Sequence, residues 1–437
     1  MSTSTSSSFG TKDHALMIGG SMVGSLMYDA IVIGARCAGA PTAMLLARKG
    51  YKVLLADRAT FPSEIPHGHF IHRDGPGHLH RWGLLDRVLA TGCPPITSAT
   101  LDFDDFPLVG KDLLVDEVAM GYGPRRSVLD KVLLDAAVEA GAELREGFVV
   151  ESFETEGERV TGIRGRDKRS GAAATERARL TIGADGRNSR LARTVQAPVY
   201  EAAPALTCWY FSYWADVPDS DSLEMYNRQR RVIFAFPTND DLFAVFIAWP
   251  IQQFHAIRSN IEEHFMSALS RVPSLAERVR SGRRAERFYG TADVPNFLRR
   301  PHGPGGALVG DAGCHKDPYL ALGVGDALRD AELLADAVDE GLSGRRHLND
   351  ALADYERRRN EAMLSEYHQN LQMARFEPLP KELMQLRAAV RGDQEATNQF
   401  FMAREGMIAR ETFFNPENLQ RIMAEAQAKD VRVTAAD

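Results

Sequence analysis

The sequence is poor in cysteine and has no long hydrophobic run. Its four cysteines, Cys37, Cys93, Cys208 and Cys314, are far apart and form no C-x-x-C pair. This spacing favours free thiols in a reducing cytoplasm over a disulfide framework or a cysteine zinc site. No apolar run approaches the roughly 20 residues that a membrane span needs. We therefore expect a soluble, cytoplasmic protein that does not insert into a membrane.

The sequence also lacks a large excess of either charge. It has 52 Lys and Arg against 59 Asp and Glu, a net charge of −7 over 437 residues. This balance offers no electrostatic attraction for nucleic acid or for an anionic membrane surface. With 44% hydrophobic and 25% charged residues, the composition is that of a globular protein. The length predicts roughly two to three domains.

Residues 1–27 form a leader without a clear structural signal. The serine-rich start MSTSTSSSFG predicts disorder, and HALMIGGSMVGSL imitates the glycine loop that follows at 33–39. Both copies cannot fold as strand, turn and helix, because the helix of the first would overlap the strand of the second. The leader has no basic region or cleavage site typical of a secretory signal. We interpret it as a misassigned start upstream of Met27 or a frayed extension; a functional leader is the alternative.

A glycine-rich loop follows the first predicted strand, YDAIVI. It runs from Gly34 through Arg36 to Gly39, and a helix and a second strand, YKVLLA, lead to Asp57 and Arg58. This order predicts a nucleotide-binding unit, in which a pyrophosphate binds the helix N-terminus and Asp57 reaches the ribose of an AMP group. Arg36 replaces the middle glycine of the fingerprint, and its guanidinium could itself contact phosphate. The alternative is a strand–helix turn that binds no nucleotide.

Residues 307–324, called the returning segment below, carry a second set of candidate cofactor-binding residues. Strand ALVG ends at Gly310-Asp311, Pro318 follows, and a long helix is predicted to begin at Gly323-Val324. Asp311 can accept a hydrogen bond from a ribityl hydroxyl, and the helix N-terminus can face the flavin N1–C2=O edge, where negative charge builds on reduction. A plain NAD domain needs only the first loop, whereas FAD held at both ends needs both segments. The alternative is that Asp311 only braces its turn.

Two further features lie between these segments. An amphipathic helix begins at Arg125-Arg126, and a buried strand, LTIGA, ends at Asp185-Gly186. A carboxylate and a glycine after a buried strand suit a loop that contacts a cofactor. The alternative is that Asp185 is an ordinary turn residue whose side chain hydrogen-bonds nearby backbone.

Together, IGARCAG, IGADGRNS and VGDAGCHKDP resemble, in this order and spacing, the FAD fold of the class A flavoprotein monooxygenases of the para-hydroxybenzoate hydroxylase type. They also resemble the related geranylgeranyl reductases. The resemblance implies that the glycine loop and Asp57 bind the AMP end and that Arg126 contacts the cofactor. It further implies that Asp185-Gly186 serves both FAD and NAD(P)H, and that Asp311 binds the flavin half.

The resemblance covers about residues 28–345, and the chain departs from it in two places. Cys314, followed by His315, stands where the family usually carries histidine. Residues 321–325 replace the family's G-Q-G-x-N, so its Gln and Asn side chains are missing. The flavin contacts are therefore expected to use backbone N–H groups more than usual.

These patterns predict an α/β fold with a discontinuous, Rossmann-like FAD-binding domain at 28–195 and 291–345. Residues 196–290 are predicted to form an inserted, mostly antiparallel β-sheet substrate domain, and 346–437 a helical region with a surface for a homodimer.

Aromatic residues concentrate in the predicted substrate domain, above all in LTCWYFSYWADV. The two-residue period of a strand sends Trp209, Phe211 and Tyr213 to one face and Tyr210 and Trp214 to the other. One face is expected to line an apolar pocket over the flavin, although core packing explains any single ring equally well.

A histidine-rich segment, PHGHFIHRDGPGHLHRW, follows Asp57. Histidines at such spacing can bind zinc, but no acidic or cysteine ligand joins them at metal-site spacing, so we predict no metal. A loop facing the flavin or the substrate is the favoured interpretation, with His69 as acid/base and Pro318 as a second catalytic candidate. The histidines are His67, His69, His72, His78 and His80.

The leading hypothesis is an FAD monooxygenase that uses NAD(P)H and O₂ to oxygenate a small apolar or aromatic substrate through a flavin C4a-(hydro)peroxide. One alternative is a C=C reductase of the geranylgeranyl reductase type, whose P-Y pair Pro318-Tyr319 matches without the following glycine run. Another is a halogenase, whose W-x-W-x-I-P motif is matched only superficially by Trp249-Pro250-Ile251. The fourth hypothesis is a flavin-binding protein that catalyses no reaction.

Overall fold

The computed structural model describes residues 27–218 and 220–434. The predicted leader therefore lies outside the described residues, except for Met27. Within the described residues the strands are, in chain order, β1 (Tyr28–Ile33), β2 (Val53–Ala56), β3 (Ile71–His72), β4 (Pro95–Ile96), β5 (Ser98–Asp102), β6 (Pro107–Gly110), β7 (Leu114–Val115), β8 (Val118–Ala119), β9 (Gly121–Tyr122), β10 (Glu143–Arg145), β11 (Phe148–Glu156), β12 (Arg159–Asp167), β13 (Ala173–Gly183), β14 (Val199–Ala203), β15 (Thr207–Ala215), β16 (Ser222–Asn227), β17 (Val232–Thr238), β18 (Leu242–Pro250), β19 (Arg283–Arg284), β20 (Tyr289–Thr291), β21 (Asn296–Arg299), β22 (His302–Gly303), β23 (Gly306–Leu308) and β24 (Cys314–His315).

The helices of the described residues lie between and after these strands. They are, in chain order, α1 (Gly39–Arg48), α2 (Asp74–Arg81), α3 (Leu85–Leu89), α4 (Arg126–Glu139), α5 (Arg190–Thr194), α6 (Phe254–Ser259), α7 (Ile261–Leu269), α8 (Pro273–Ser281), α9 (Gly323–Leu342), α10 (Leu348–Ala374), α11 (Lys381–Val390), α12 (Gln394–Arg404), α13 (Arg410–Phe413) and α14 (Pro416–Thr434). None of these helices is long and apolar enough to cross a membrane.

A parallel sheet forms the centre of the first domain. Its order is β10-β2-β1-β13, and β23 joins the far side of β13, all in parallel. The long β13 also pairs antiparallel with β12 through its first half, and β12 pairs with β11. Other elements pack on both faces of the sheet at strand β1, so its side chains are buried on both sides. Ala30 and Val32 pack against the layer of α1, α4 and α9, while Ile31 and Ile33 pack against Phe148 of β11.

A larger, mainly antiparallel sheet forms the second domain, in the order β19-β15-β18-β17-β16-β5-β6. The two-residue alternation predicted for β15 is confirmed: Trp209, Phe211 and Tyr213 lie in one apolar cluster, and Tyr210 and Trp214 lie in another. The second cluster includes residues of α7 and α8, so these helices cover the outer face.

The second sheet is wider than the segment 196–290 that the sequence indicated. Strands β5 and β6 come from the range predicted to belong to the FAD-binding domain, and β5 pairs in parallel with β16. The register matches Ser98 with Ser222 and Asp102 with Tyr226. These strands are short and their partner is distant in sequence, so no local pattern marks them as part of this sheet.

The C-terminal helices pack on both domains. Helix α10 lies along α9, and residues of α11 to α14 join the inner apolar cluster of the second sheet. A fully buried arginine, Arg387 of α11, fixes this contact. Its guanidinium donates to Asp105 Oδ2 at 2.7 Å and to the carbonyl oxygens of Leu101 and Phe106 at 3.0 Å each.

Replacement of Arg387 by methionine should lower the free energy of unfolding by about 2–4 kcal/mol, because two buried carbonyls and one carboxylate lose their donor. Chemical denaturation followed by circular dichroism measures the change. Arg391→Met is the matched control on the same helix, since Arg391 is exposed and only stacks over Phe106. Equal destabilisation by the two substitutions would contradict the assigned role of Arg387.

Candidate active site

The sequence motifs meet at one edge of the parallel sheet. Gly34 follows β1, Asp57 follows β2, Asp185 follows β13 and Gly310 follows β23, and these four strands are neighbours. The carboxyl ends of parallel strands lie at the same edge of a sheet, where ligands of doubly wound folds bind. Four segments that are distant in sequence therefore form one cleft.

Two glycines shape the first loop. A Cβ on Gly39 would overlap the carbonyl oxygen of Gly34, and a Cβ on Gly34 would overlap that of Ala184. Gly34 also has φ +101°, which side chains rarely adopt. Helix α1 begins at Gly39 without a side-chain cap. In its first turn the Ala40 N–H donates to the Arg36 carbonyl oxygen and Pro41 has no N–H, which leaves the Gly39 N–H for an anion.

Asp57 ties the end of β2 to this loop. Its Oδ2 accepts from the Ala35 N–H at 2.8 Å and its Oδ1 from the Ala59 N–H at 2.7 Å. Each carboxylate oxygen keeps a lone pair for a ribose hydroxyl. The neighbouring Arg58 is exposed, and its carbonyl oxygen accepts from Lys168.

A buried carboxylate that the sequence analysis missed, Asp130 of α4, orients two predicted arginines. Arg36 donates to its Oδ2 at 2.6 Å, and Arg126 donates to its Oδ1 at 3.0 Å. Arg36 also donates to Ser63 Oγ at 2.5 Å, so its side chain turns toward α4 and leaves the loop backbone accessible. The i, i+4 spacing of Arg126 and Asp130 on a predicted helix is the sequence signal from which this ion pair could have been predicted.

The two aspartates of the later motifs have different surroundings. Asp185 Oδ2 accepts from the N–H of Arg190 at 2.7 Å, whereas its Oδ1 is buried without a hydrogen-bond partner. Gly186, with φ +77°, allows the turn that follows. The Asp311 carboxylate accepts no hydrogen bond from the described residues. Gly310 before it lies so close to the first loop that an added Cβ would be 2.7 Å from the Cβ of Ala38.

The returning segment ends in an open N-terminus of α9. Pro318 begins a short 3₁₀ turn, and Ala321 adopts a left-handed conformation with φ 53° before Gly323 starts the helix. Leu322 provides no side-chain cap, and a Cβ on Gly323 would meet no atom within 4 Å. Val324 is buried, so only the backbone of this turn faces the open space.

His69 is buried between the two domains and both ring nitrogens are engaged. Nδ1 donates to the carbonyl oxygen of Gly123 at 3.0 Å, so Nε2 accepts from the hydroxyl of Tyr213, also at 3.0 Å. Burial lowers the pKa of His69 to about 3, so the ring is neutral near pH 7. The sequence predicts an acid/base with an ordinary pKa at His69. The structure instead has a neutral imidazole that two hydrogen bonds hold in place.

The remaining histidines of this segment point to separate partners. His67 is exposed at the cleft, near Arg126 and Asp311. His72 contacts Glu405, and His78 contacts Glu332. Among the described residues, no three His, Cys, Asp or Glu side chains converge as a metal site would require.

Asp317, directly before Pro318, is 2% exposed and hydrogen-bonded on both oxygens. Thr207 donates to its Oδ2 at 2.6 Å and Trp209 Nε1 to its Oδ1 at 3.3 Å. Burial raises the pKa of this carboxyl to about 6, although these hydrogen bonds lower it.

The thiols of the chain are inactive in this fold. All four cysteines are buried, and burial raises the pKa of each thiol to about 12. Cys37, next to the glycine loop, donates to Asp130 at 3.3 Å.

Comparison with known proteins agrees with this geometry. Residues 27–365 match the family model of the FAD binding domain, and the chain belongs to this family. It is 24% identical over 339 residues to a tryptophan 2-halogenase of Chondromyces crocatus, a match that covers 75% of this chain and 64% of that relative.

Two solved structures share the fold. The myxobacterial chondrochloren halogenase CndH has a TM-score of 0.73 at 21% identity and covers 92% of this chain and 96% of its own. PqsL, a probable FAD-dependent monooxygenase from Pseudomonas aeruginosa, has a TM-score of 0.66 at 20% identity, with 86% of this chain and 99% of its own covered. The match to the FAD binding domain family confirms the predicted resemblance to flavoproteins of class A, whereas the relation to the geranylgeranyl reductases stays a prediction.

The chain is a flavin-dependent enzyme, and the residues present fit FAD. The glycine loop and the uncapped start of α1 suit the pyrophosphate, and Asp57 suits the AMP ribose. The Asp311 carboxylate suits the ribityl chain, and the open space at Gly323 suits the flavin ring. The predicted cofactor and the predicted α/β fold are confirmed.

Asp311→Ala should raise the dissociation constant of FAD by about ten- to hundredfold, because a charge-assisted hydrogen bond of roughly 1.5–3 kcal/mol is lost. Fluorescence titration of the apoprotein with FAD measures this constant. Asp336→Ala is the control, since Asp336 lies exposed on α9 and pairs with Lys49. An unchanged constant for Asp311→Ala would show that this carboxylate only supports its turn.

Asp317→Asn should remove a pH dependence of stability. The folded-state pKa of about 6 lies above the ordinary 3.8, so the contribution is complete below pH 4 and is lost as pH rises through 6. From pH 4 to pH 8 the parent should lose about 3 kcal/mol of unfolding free energy relative to the variant. Urea denaturation across this range tests it, with the exposed Asp293→Asn as control. Parallel pH profiles of parent and Asp317→Asn would refute the raised pKa.

Proposed function

We propose that this chain is an FAD-dependent monooxygenase that uses NAD(P)H and O₂ to hydroxylate a small aromatic molecule. The observation that carries the proposal is the inner face of the second sheet. Its aromatic side chains belong to one apolar cluster with residues of the returning segment next to Gly323. That cluster includes Trp209, Phe211, Tyr213, Phe234, Phe236, Phe246, Tyr319, Leu320 and Leu322.

The inner face supplies flat, closely packed rings. Phe211 stacks on Phe246 with ring centroids 4.4 Å apart, and Phe236 lies parallel to Phe246 at 5.6 Å. Such a surface favours an aromatic or apolar substrate and excludes water from the space beside the flavin.

A few polar groups interrupt this apolar face and would orient the substrate. The Tyr213 hydroxyl donates to His69, so its oxygen can accept from a substrate hydroxyl or amine. The Arg125 guanidinium lies 4.7 Å from the Tyr213 ring centre and pairs with Glu286 at 2.5 Å. We assign His69 to holding Tyr213 in this orientation, and Pro318 to limiting the space over the flavin ring.

FAD, when bound, accepts a hydride from NAD(P)H and activates O₂. Residues of this chain bind and orient both reactants. Asp185 and Gly186 lie at the cleft edge between the first loop and the returning segment, where a nicotinamide could approach the flavin. The 27–365 match covers a single FAD-binding domain, so NAD(P)H would bind transiently.

Halogenation is the second candidate, because the relatives above include a tryptophan 2-halogenase and the structure of CndH. The inner aromatic face would suit an aromatic substrate of either reaction. Trp249, the residue that superficially matches the halogenase motif, lies in the outer cluster with Phe265 and points away from the inner aromatic face.

Turnover under ¹⁸O₂ separates the candidates. An aromatic compound that stimulates NAD(P)H oxidation should give a product with one ¹⁸O atom by mass spectrometry, with and without bromide. A bromide-dependent product carrying bromine and no label would assign halogenation. A product formed equally well without O₂ would assign a C=C reductase and would contradict the proposal.

A further inference from the structure

The family match ends at residue 365. Beyond it, one side chain binds the backbone of the returning segment directly, and a second does so through a histidine. The first is Asn370 of α10, which is 1% exposed. Its Oδ1 accepts from the Leu320 N–H at 3.0 Å, and its Nδ2 donates to the Asp317 carbonyl oxygen at 2.9 Å. These hydrogen bonds enclose Pro318 from both sides.

The second side chain acts through a histidine. Glu405, which follows α12, is 2.6 Å through Oε2 from Nδ1 of His72, and His72 Nε2 donates to the Leu320 carbonyl oxygen at 3.0 Å. Both partners of the ring are acceptors, so geometry places a hydrogen on each nitrogen. Burial would raise the pKa of Glu405, but His72 and then Arg404 hold it at about 2. The carboxylate is therefore ionised.

Leu320 is thus bound through its N–H by Asn370 and through its carbonyl by His72. The next residue, Ala321, takes the left-handed turn that aims the uncapped N-terminus of α9 into the cleft. The orientation of this N-terminus would decide which backbone N–H groups are offered to a bound flavin, and the chain has no Gln or Asn side chain at 321–325 to assist.

We propose that Asn370 and Glu405 are positioning residues for the flavin: through Leu320 they hold the backbone that binds the flavin ring, so the C-terminal helices complete the cofactor site. The inference concerns the FAD site and is independent of whether the reaction is oxygenation or halogenation. A failed ¹⁸O₂ experiment would leave it untouched.

The test compares Asn370→Leu with Asn349→Leu, a substitution of an exposed asparagine on the same helix. Asn370→Leu should raise the dissociation constant of FAD at least tenfold and shift the visible absorption bands of bound FAD. Asn349→Leu should change neither. The melting temperature of each apoprotein is measured in parallel, so that loss of stability is separated from altered cofactor binding.

Glu405 is tested with a pair of substitutions. Glu405→Leu removes the partner of His72 and should alter the flavin bands. Glu405→Gln should largely restore them, because its amide can donate to Nδ1 while Nε2 still donates to Leu320. Glu361→Gln is the control, since Glu361 of α10 is exposed and pairs with Arg357 on the same helix.

An Asn370→Leu protein that melts lower but has parental FAD affinity and bands would overturn the proposal, because its role would be structural only. If Asn370→Leu does not fold, Asn370→Asp decides, as it keeps the acceptor for Leu320 and loses the donor to Asp317. Identical spectra for Glu405→Leu and the parent would also overturn it.

Discussion

The structure depends on the close approach of the first glycine loop to the end of β13. A side chain at Gly34 would overlap the carbonyl of Ala184, and one at Gly39 would overlap that of Gly34. The loop can therefore take this path only because two residues lack a Cβ. The same contact brings the Asp185 loop beside the start of α1, and Gly310 lies against Ala38 from the other side. The cofactor cleft follows from this packing.

Two carboxylates, Asp130 and Asp311, carry negative charge near the cleft, and they differ in their partners. Asp130 is completely buried and serves two arginines at once, which neutralises it and fixes both guanidinium groups beside the first glycine loop. Asp311 has no such partner among the described residues. The protein thus compensates one carboxylate internally and leaves the other open, a division set by where α4 begins and where β23 ends.

Sequence reasoning succeeded where the signal was local. The glycine loop with Asp57 and the alternation of Trp209, Phe211 and Tyr213 could be predicted because strand geometry fixes them over a few residues. It failed where partners are distant. Strand β5 pairs with β16 across more than a hundred residues. Asn370 is a single polar residue on α10 and Glu405 directly follows α12, and a solvent-facing position is the usual expectation for both. Their importance comes only from the backbone that they meet.

The burial of all four thiols has a consequence for the lifetime of the protein. Reduced flavins release hydrogen peroxide whenever their oxidation by O₂ is not coupled to a substrate, and peroxide attacks thiolates rather than thiols. With each thiol buried and its pKa raised to about 12, the folded chain offers almost no thiolate. The fold thereby shields its four thiols from peroxide that the cofactor would release.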